Sequence, residues 1–282
     1  MPENPFIIRN MTRPELDIAL DWAAAEGWNP GLYDADCFYA ADCRGFLLGL
    51  LHGEPIATLS AVKYGAFGFL GFYIVKPAYR GLGFGLEIWQ AGLDYLAGCT
   101  VGLDGVVEQQ DNYRKSGFSL AYRNIRYAGF GGGDCPAEAD LVELSALAWP
   151  QIEAYDLRHF PAARPAFLHR WFEQPESYAC GMVRNHDLLG YGVLRKCRSG
   201  YKVGPLFADS PAIAEALFLT LKAKLNASEP IIMDVPECNA QAVALAERHA
   251  MYSVFETARM YKGVAPQLAL SGVYGVTSFE LG

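Results

Sequence analysis

The chain has 282 residues, of which 52% are hydrophobic and 19% charged, and it carries a net charge of −8. That length can bury one large core or two modest ones. The acidic balance argues against a nucleic-acid partner, whose phosphates need a basic face, but leaves room for a phosphorylated cofactor in a local pocket.

The opening MPENPFIIRN has no basic-then-apolar leader pattern, and no stretch approaches the roughly 20 apolar residues that span a bilayer. A cytoplasmic protein without a membrane partner is expected. Seven cysteines are scattered without a CxxC pair, which reads as reduced thiols and gives no metal site.

In chain order, Thr12 to Glu26 predicts a helix, with a capping threonine, an early proline and apolar positions at Leu16, Ala19, Leu20 and Ala23. Gly27 ends it, and the aromatic and acidic run WNPGLYDADCFYAAD reads as a loop. Strands are predicted at Gly45 to Leu51, Ile56 to Tyr64 and Gly68 to Val75, then a helix from about Gly83 to Leu96. A strand at Thr100 to Val107, a helix at Gln109 to Ser116 and extended residues Ser119 to Ala128 complete this half. Gly129 to Pro136, GFGGGDCP, reads as a linker between domains of residues 1–130 and 137–282.

The second part repeats the order. Helices are predicted at about Glu138 to Ala154 and at Pro165 to Phe172, then strands at Tyr178 to Arg184, Leu188 to Arg195 and Tyr201 to Phe207. A helix from Pro211 to Asn226, a strand at Ile231 to Val235, a helix from Asn239 to His249 and strands through Tyr261 follow. Leu103-Asp104-Gly105 answers Met233-Asp234-Val235, and Tyr113 stands as far from Arg126 as Ala246 does from Arg259. The matches indicate an internal duplication.

The chemistry concentrates in GFYIVKPAYRGLGFGLEIW, Gly71 to Trp89. An apolar strand meets Pro77, and a loop with three alternate glycines opens an amphipathic helix. Free backbone N–H groups and the helix N-terminus converge there, and glycines let a diphosphate approach the backbone. The dinucleotide fingerprint GxGxxG fails, because Leu86 takes the place of its third glycine.

Arg80-Gly81-Leu82-Gly83-Phe84-Gly85 resembles the pyrophosphate loop of the GNAT acyltransferases, (Gln/Arg)-x-x-Gly-x-(Gly/Ala). Downstream, Tyr113-Arg114-Lys115-Ser116-Gly117-Phe118 is similar to that family's Tyr-x-x-x-Gly-Phe. The whole chain, through VYGVTSFELG, resembles tandem-GNAT proteins whose C-terminal domain is of the acetyltransferase-18 type. The resemblance implies an α/β (α+β) fold of two tandem domains, each a mixed, largely antiparallel sheet flanked by helices. It also implies acetyl-CoA or another acyl-CoA as co-substrate and a small-molecule amine as acceptor. Tyr73, Ile74 and Val75 would offer main-chain groups to the pantetheine, and Arg80, Gly81, Leu82, Gly83, Phe84 and Gly85 would hold the diphosphate. Tyr113 would protonate the leaving thiolate. Val106 stands where the family often has an asparagine.

Glu108, just after a predicted strand, is the leading candidate for general base; Asp104, Asp34 and Asp36 are weaker ones. Trp28, Tyr33, Phe38 and Tyr39 are candidates for an acceptor pocket. The second half has no glycine triplet in GPLFADSPAIAEAL, and Ala246 replaces the tyrosine, so it is expected to keep the fold without the chemistry. An acyltransferase is favoured, with a non-catalytic acyl-CoA-binding or sensing module as the alternative.

Overall fold

The computed structural model describes residues 6–138 and 140–282. Its first half contains β1 (Phe6–Asn10), α1 (Arg13–Ala25), α2 (Asp34–Ala41), β2 (Phe46–Leu51), β3 (Glu54–Tyr64), β4 (Phe67–Val75), α3 (Phe84–Tyr95), β5 (Thr100–Val106), α4 (Gln110–Lys115) and β6 (Ser119–Phe130). The second contains β7 (Leu141–Glu143), α5 (Trp149–Asp156), α6 (Pro165–Phe172), β8 (Ser177–Arg184), β9 (Asp187–Lys196) and β10 (Tyr201–Ala208). It continues with α7 (Pro211–Lys222), β11 (Pro230–Pro236), α8 (Ala240–Arg248), β12 (Tyr252–Lys262) and β13 (Val273–Gly275).

All strands join one mixed, mostly antiparallel sheet, in the order β1-β2-β3-β4-β5-β12-β6-β11-β10-β9-β8-β7, with β13 on β10. Among the described residues, only β4–β5 and β10–β11 pair in parallel. The two halves exchange their last long strands. β12 sits against β5, from Thr257↔Val106 to Lys262↔Val101, while β6 sits against β11, from Pro230↔Phe130 to Pro236↔Asn124. Gly129 and Phe130, expected in a linker, therefore belong to the sheet, where Gly129 faces Ile231.

The expected face of α1 is the buried one, and Glu15 closes its start by accepting from the Thr12 N–H (2.8 Å) and hydroxyl (2.9 Å). Two expectations fail. The loop after Gly27 contains α2, eight residues too short to be helical alone. It is held by packing, with Phe38 stacked on Trp171 at 6.0 Å. The helix expected from Glu138 begins instead at Trp149, and β7 pairs with β8 before it, Leu141 facing Met182. Pro150 belongs in a first helical turn and would break a helix running through it.

Helices cover both faces of the sheet. Residues of α1, α2, α5 and α6 share one apolar cluster that draws on both halves, including Leu16, Phe38, Phe72, Phe167, Trp171 and Phe279. Two further clusters are private to one end each. One lies beneath α3 with Ile56, Ile88 and Leu103, the other beneath α7 and α8 with Leu217, Met233 and Leu245.

Candidate active site

β4 and β5 pair from Phe67↔Thr100 to Leu70↔Leu103 and then part. At the parting, the register of β4 against β3 shifts between Thr58 and Ser60, and Phe72 takes a left-handed φ of +46°. A phenylalanine in that conformation persists only where its surroundings dictate it. Here the Thr58 hydroxyl donates to the Phe72 carbonyl (2.8 Å), and the Phe72 ring is anchored in the core. Gly71 to Val75 consequently lose their neighbour and line one wall of a cleft of about 490 Å³, with Leu103, Asp104 and Val106 opposite.

The glycine loop closes one end of the cleft. Gly81 and Gly83 have φ of +77° and +97°, and a Cβ on either would meet nothing within 4 Å, so the loop needs glycine for its backbone and leaves open space beside it. Gly83 is the N-cap of α3, and among the described residues no side chain caps the first-turn N–H groups. Such an end attracts an anion. The Arg80 guanidinium is already engaged, donating to the Val75 carbonyl (2.8 Å) and pairing with Glu26. The backbone, more than this side chain, is what the loop offers a diphosphate.

Tyr113, on α4, lines the same cleft and is 8% exposed, its ring 5.4 Å from that of Trp89 and tight over Gly105. Burial, with a smaller push from Tyr73, raises its phenol well above the ordinary tyrosine value, so it keeps its proton at neutral pH. Tyr73, Ile74, Val75, Arg80, Gly81, Gly83 and Gly85 also line the cleft. Leu82 and Phe84 lie between those glycines, and the Leu82 side chain is exposed.

The carboxylates fall out differently from the expectation. Glu108 is exposed on the turn before α4, and its neighbour Gln109 lines the cleft in its stead. Asp34 is buried against Arg195 (2.9 Å), and Asp36 pairs with Arg13. Asp104 borders the cleft, but Arg259 grips it at 2.8 and 2.6 Å and Asn124 donates to it at 2.8 Å. Burial raises its carboxyl above the usual range against the pull of Arg259.

Of the four aromatics proposed for an acceptor pocket, Trp28 lines the cleft. Phe38 is core, Tyr39 stacks on Phe46, and Tyr33 donates to Glu176. The remaining wall comes from the second half, as Phe255, Thr257, Phe279 and Glu280. No spacing in the sequence marks these residues, because the exchanged strand and the returning tail bring them there.

The second half has the same parting of strands and fills it with its own chain. β10 and β11 pair from Tyr201↔Ile231 to Val203↔Met233 and then separate. β13 enters the gap, with Leu206 facing Gly275, and the Val276 N–H donates to the Asp234 carbonyl (2.9 Å). Its helix N-terminus is also taken, since the Ser210 hydroxyl accepts from the Ile213 N–H (3.4 Å). Ala250, at φ +52°, keeps the turn that Gly117 makes at +90°, so the shape outlasts the loss of the tyrosine. Among the described residues, no group of three or more potential ligands could hold a metal ion, and no helix is long and apolar enough to cross a membrane.

Residues 13–118 match the family described as acetyltransferase (GNAT) family, and residues 152–275 match the one described as acetyltransferase (GNAT) domain. The chain is 30% identical over 269 residues to holothin acyltransferase of Pseudoalteromonas sp. (strain SANK 73390), covering 95% of this chain and 92% of that protein. A candidate acetyltransferase from Pyrococcus horikoshii shares the fold with a TM-score of 0.84 at 22% identity, over 100% of this chain and 98% of its own. The tandem GNAT protein of the clavulanic acid biosynthesis pathway does so at 0.63 and 12%, over 92% and 99%. With two GNAT domains in one chain and an acyltransferase relative along nearly its full length, the protein belongs to the GNAT acyltransferase family, in its tandem form.

Proposed function

We propose that the chain is an acyl-CoA-dependent N-acyltransferase that passes an acyl group, acetyl in the simplest case, directly to a small-molecule amine. The observation that carries this reading is the parting of β4 from β5 beside an uncapped helix N-terminus, with Tyr113 on the same cleft. Tyr73, Ile74 and Val75 would take the pantetheine along their free strand edge, and the backbone from Arg80 to Gly85 would take the diphosphate. We assign the coenzyme to residues 1–130. Residues 137–282, with their own splay filled, would supply support and part of the acceptor wall.

Each residue has a defined task. The cleft holds both substrates together, so that orientation supplies much of the rate. Backbone N–H groups at the Phe72 bulge would stabilise the charge that develops on the acyl oxygen. Tyr113 hands its proton to the departing sulfur, whose conjugate acid has a pKa near ~8.5 in a cysteine-like thiol. Removal of the acceptor's proton by Glu108 would require a water chain from its exposed turn.

The test is thiol release from acetyl-CoA across a panel of primary amines. Release that requires an amine supports the reading. Tight coenzyme binding with no amine-dependent release would instead favour a binding or sensing module.

A further inference from the structure

Trp28, Phe255, Thr257, Phe279 and Glu280 line the same cleft as the Phe72 bulge. Phe279 and Glu280 follow β13, where the chain leaves the second half's splay and returns to the first half's cleft. The Glu280 carbonyl accepts from the Ser60 hydroxyl (3.5 Å) and lies directly over Gly71, where any Cβ would collide with it. Gly71 is thus required by the tail, and the tail sits beside the bulge.

Glu280 is 2% exposed, and its Oε2 has no hydrogen-bond partner among the described residues. A buried carboxylate oxygen without a donor is costly. The nearby cations do not supply one. Arg126 gives both arms to Asp234 (2.6 and 2.8 Å) and its remaining nitrogen to the Trp28 carbonyl (2.8 Å). Its flat face lies on Phe279 (4.7 Å) and Phe255 (5.7 Å), which fixes both rings. Arg195 is held by Asp34 through Nε and Nη2 while its Nη1 stays without a partner, and the buried Lys202 amine has none either. Arg126, Arg195 and Lys202 set against Asp34, Asp234 and Glu280 leave the cluster balanced in formal charge, yet Glu280 still lacks a donor.

We infer that Glu280 receives the ammonium group of the acceptor, with the flat or apolar body of that amine lying between Trp28, Phe255 and Phe279. The inference rests on the acyltransferase reading above. In the reaction, Glu280 takes one proton from the ammonium and frees the nitrogen lone pair. That nitrogen bonds to the acyl carbon as the carbon–sulfur bond breaks, and the bonding pair leaves on sulfur. Tyr113 protonates the sulfur, the second nitrogen proton restores the phenol, and the proton on Glu280 returns to solvent. The sum is acyl thioester plus ammonium giving amide, thiol and one proton.

The probes are phenethylamine and its neutral analogue phenethyl alcohol, titrated into the full chain saturated with coenzyme A, for wild type and Glu280→Gln. The wild type should prefer the amine, and the variant should lose about tenfold or more of amine affinity while binding the alcohol and coenzyme A as before. Equal amine binding by both chains, or no preference for the amine in the wild type, overturns the inference. So does a fall in thermal stability with the amine preference intact, the pattern of a purely structural carboxylate. Failure of both chains to bind coenzyme A would instead strike the underlying reading. Should the variant not fold, a wild-type crystal soaked in phenethylamine decides the matter. Nitrogen within about 3.2 Å of the Glu280 carboxylate supports the inference, and nitrogen elsewhere or no bound amine ends it.

Discussion

Asp104 on β5 and Arg259 on β12 form a bidentate ion pair across the two halves of the chain, and Asp234 and Arg126 form its counterpart in the opposite direction. The two acids occupy equivalent positions in the duplication, as do the two arginines. Each half therefore supplies the acid for the other half's arginine.

Both pairs are buried, so removing one member strands a charge. Asp104→Asn should destabilise the protein by about 3–5 kcal/mol, and Asp234→Asn by a similar amount. Because the exchanged strands tie the halves together, urea unfolding followed by two probes should show one shared transition in wild type and variants. Two separable transitions would show that the exchange does not couple the halves.

The glycine loop predicts the coenzyme's place and number. Calorimetry should give one acetyl-CoA per chain. Gly83→Glu should abolish binding, by placing a side chain and a negative charge in the open space beside α3. Two sites per chain, or density for a diphosphate beside Ser210, would contradict the view that β13 fills the second splay.

Tyr113→Phe keeps the ring on Trp89 and removes the proton donor. Coenzyme affinity should change little, while kcat falls by about 10- to 10⁴-fold. The loss should shrink with a donor whose thiol is more acidic, since that sulfur leaves unaided. A structural tyrosine would instead lower thermal stability and lose equally with every donor.

Burial holds His159 below the ordinary histidine value, with its Nδ1 against the Tyr155 carbonyl (3.1 Å) and its ring on Phe207. In the window between its folded pKa and the unfolded value of about 6.5, the unfolded chain binds more protons, so stability is lost as pH falls. Comparing urea midpoints from pH 7.5 to 5 should show His159→Gln losing less stability over that range than wild type. An identical slope would show that His159 contributes nothing to acid sensitivity.

What was legible in the sequence was local. The buried face of α1 and the start of α6 at Pro165 follow from spacing and proline chemistry. The glycine loop follows from its own residues. The α2 helix was not legible, because eight residues with an acidic, aromatic composition become helical only against α6. β7 was hidden because its pairing with β8 outweighs the helical pattern that runs into it. The equivalence of Arg126 and Arg259 could be read from interval alone, but not which aspartate each meets, since both pairings satisfy the same spacing. Glu280 carried no signal at all, since its position depends on where the tail returns.

Strand exchange also bears on how the chain is made. β5 is finished at Val106, yet β12, its neighbour on the edge away from β4, begins at Tyr252. While the ribosome adds the residues between them, that edge of β5 lacks its final partner, the kind of surface that invites mispairing. β6 emerges first, and Arg126 on it is the equivalent of Arg259, so the nascent first half can offer Asp104 a provisional partner. A fragment ending at Phe130 would carry Asp104 and Arg126 without the Arg259 and Asp234 that they meet in the whole chain.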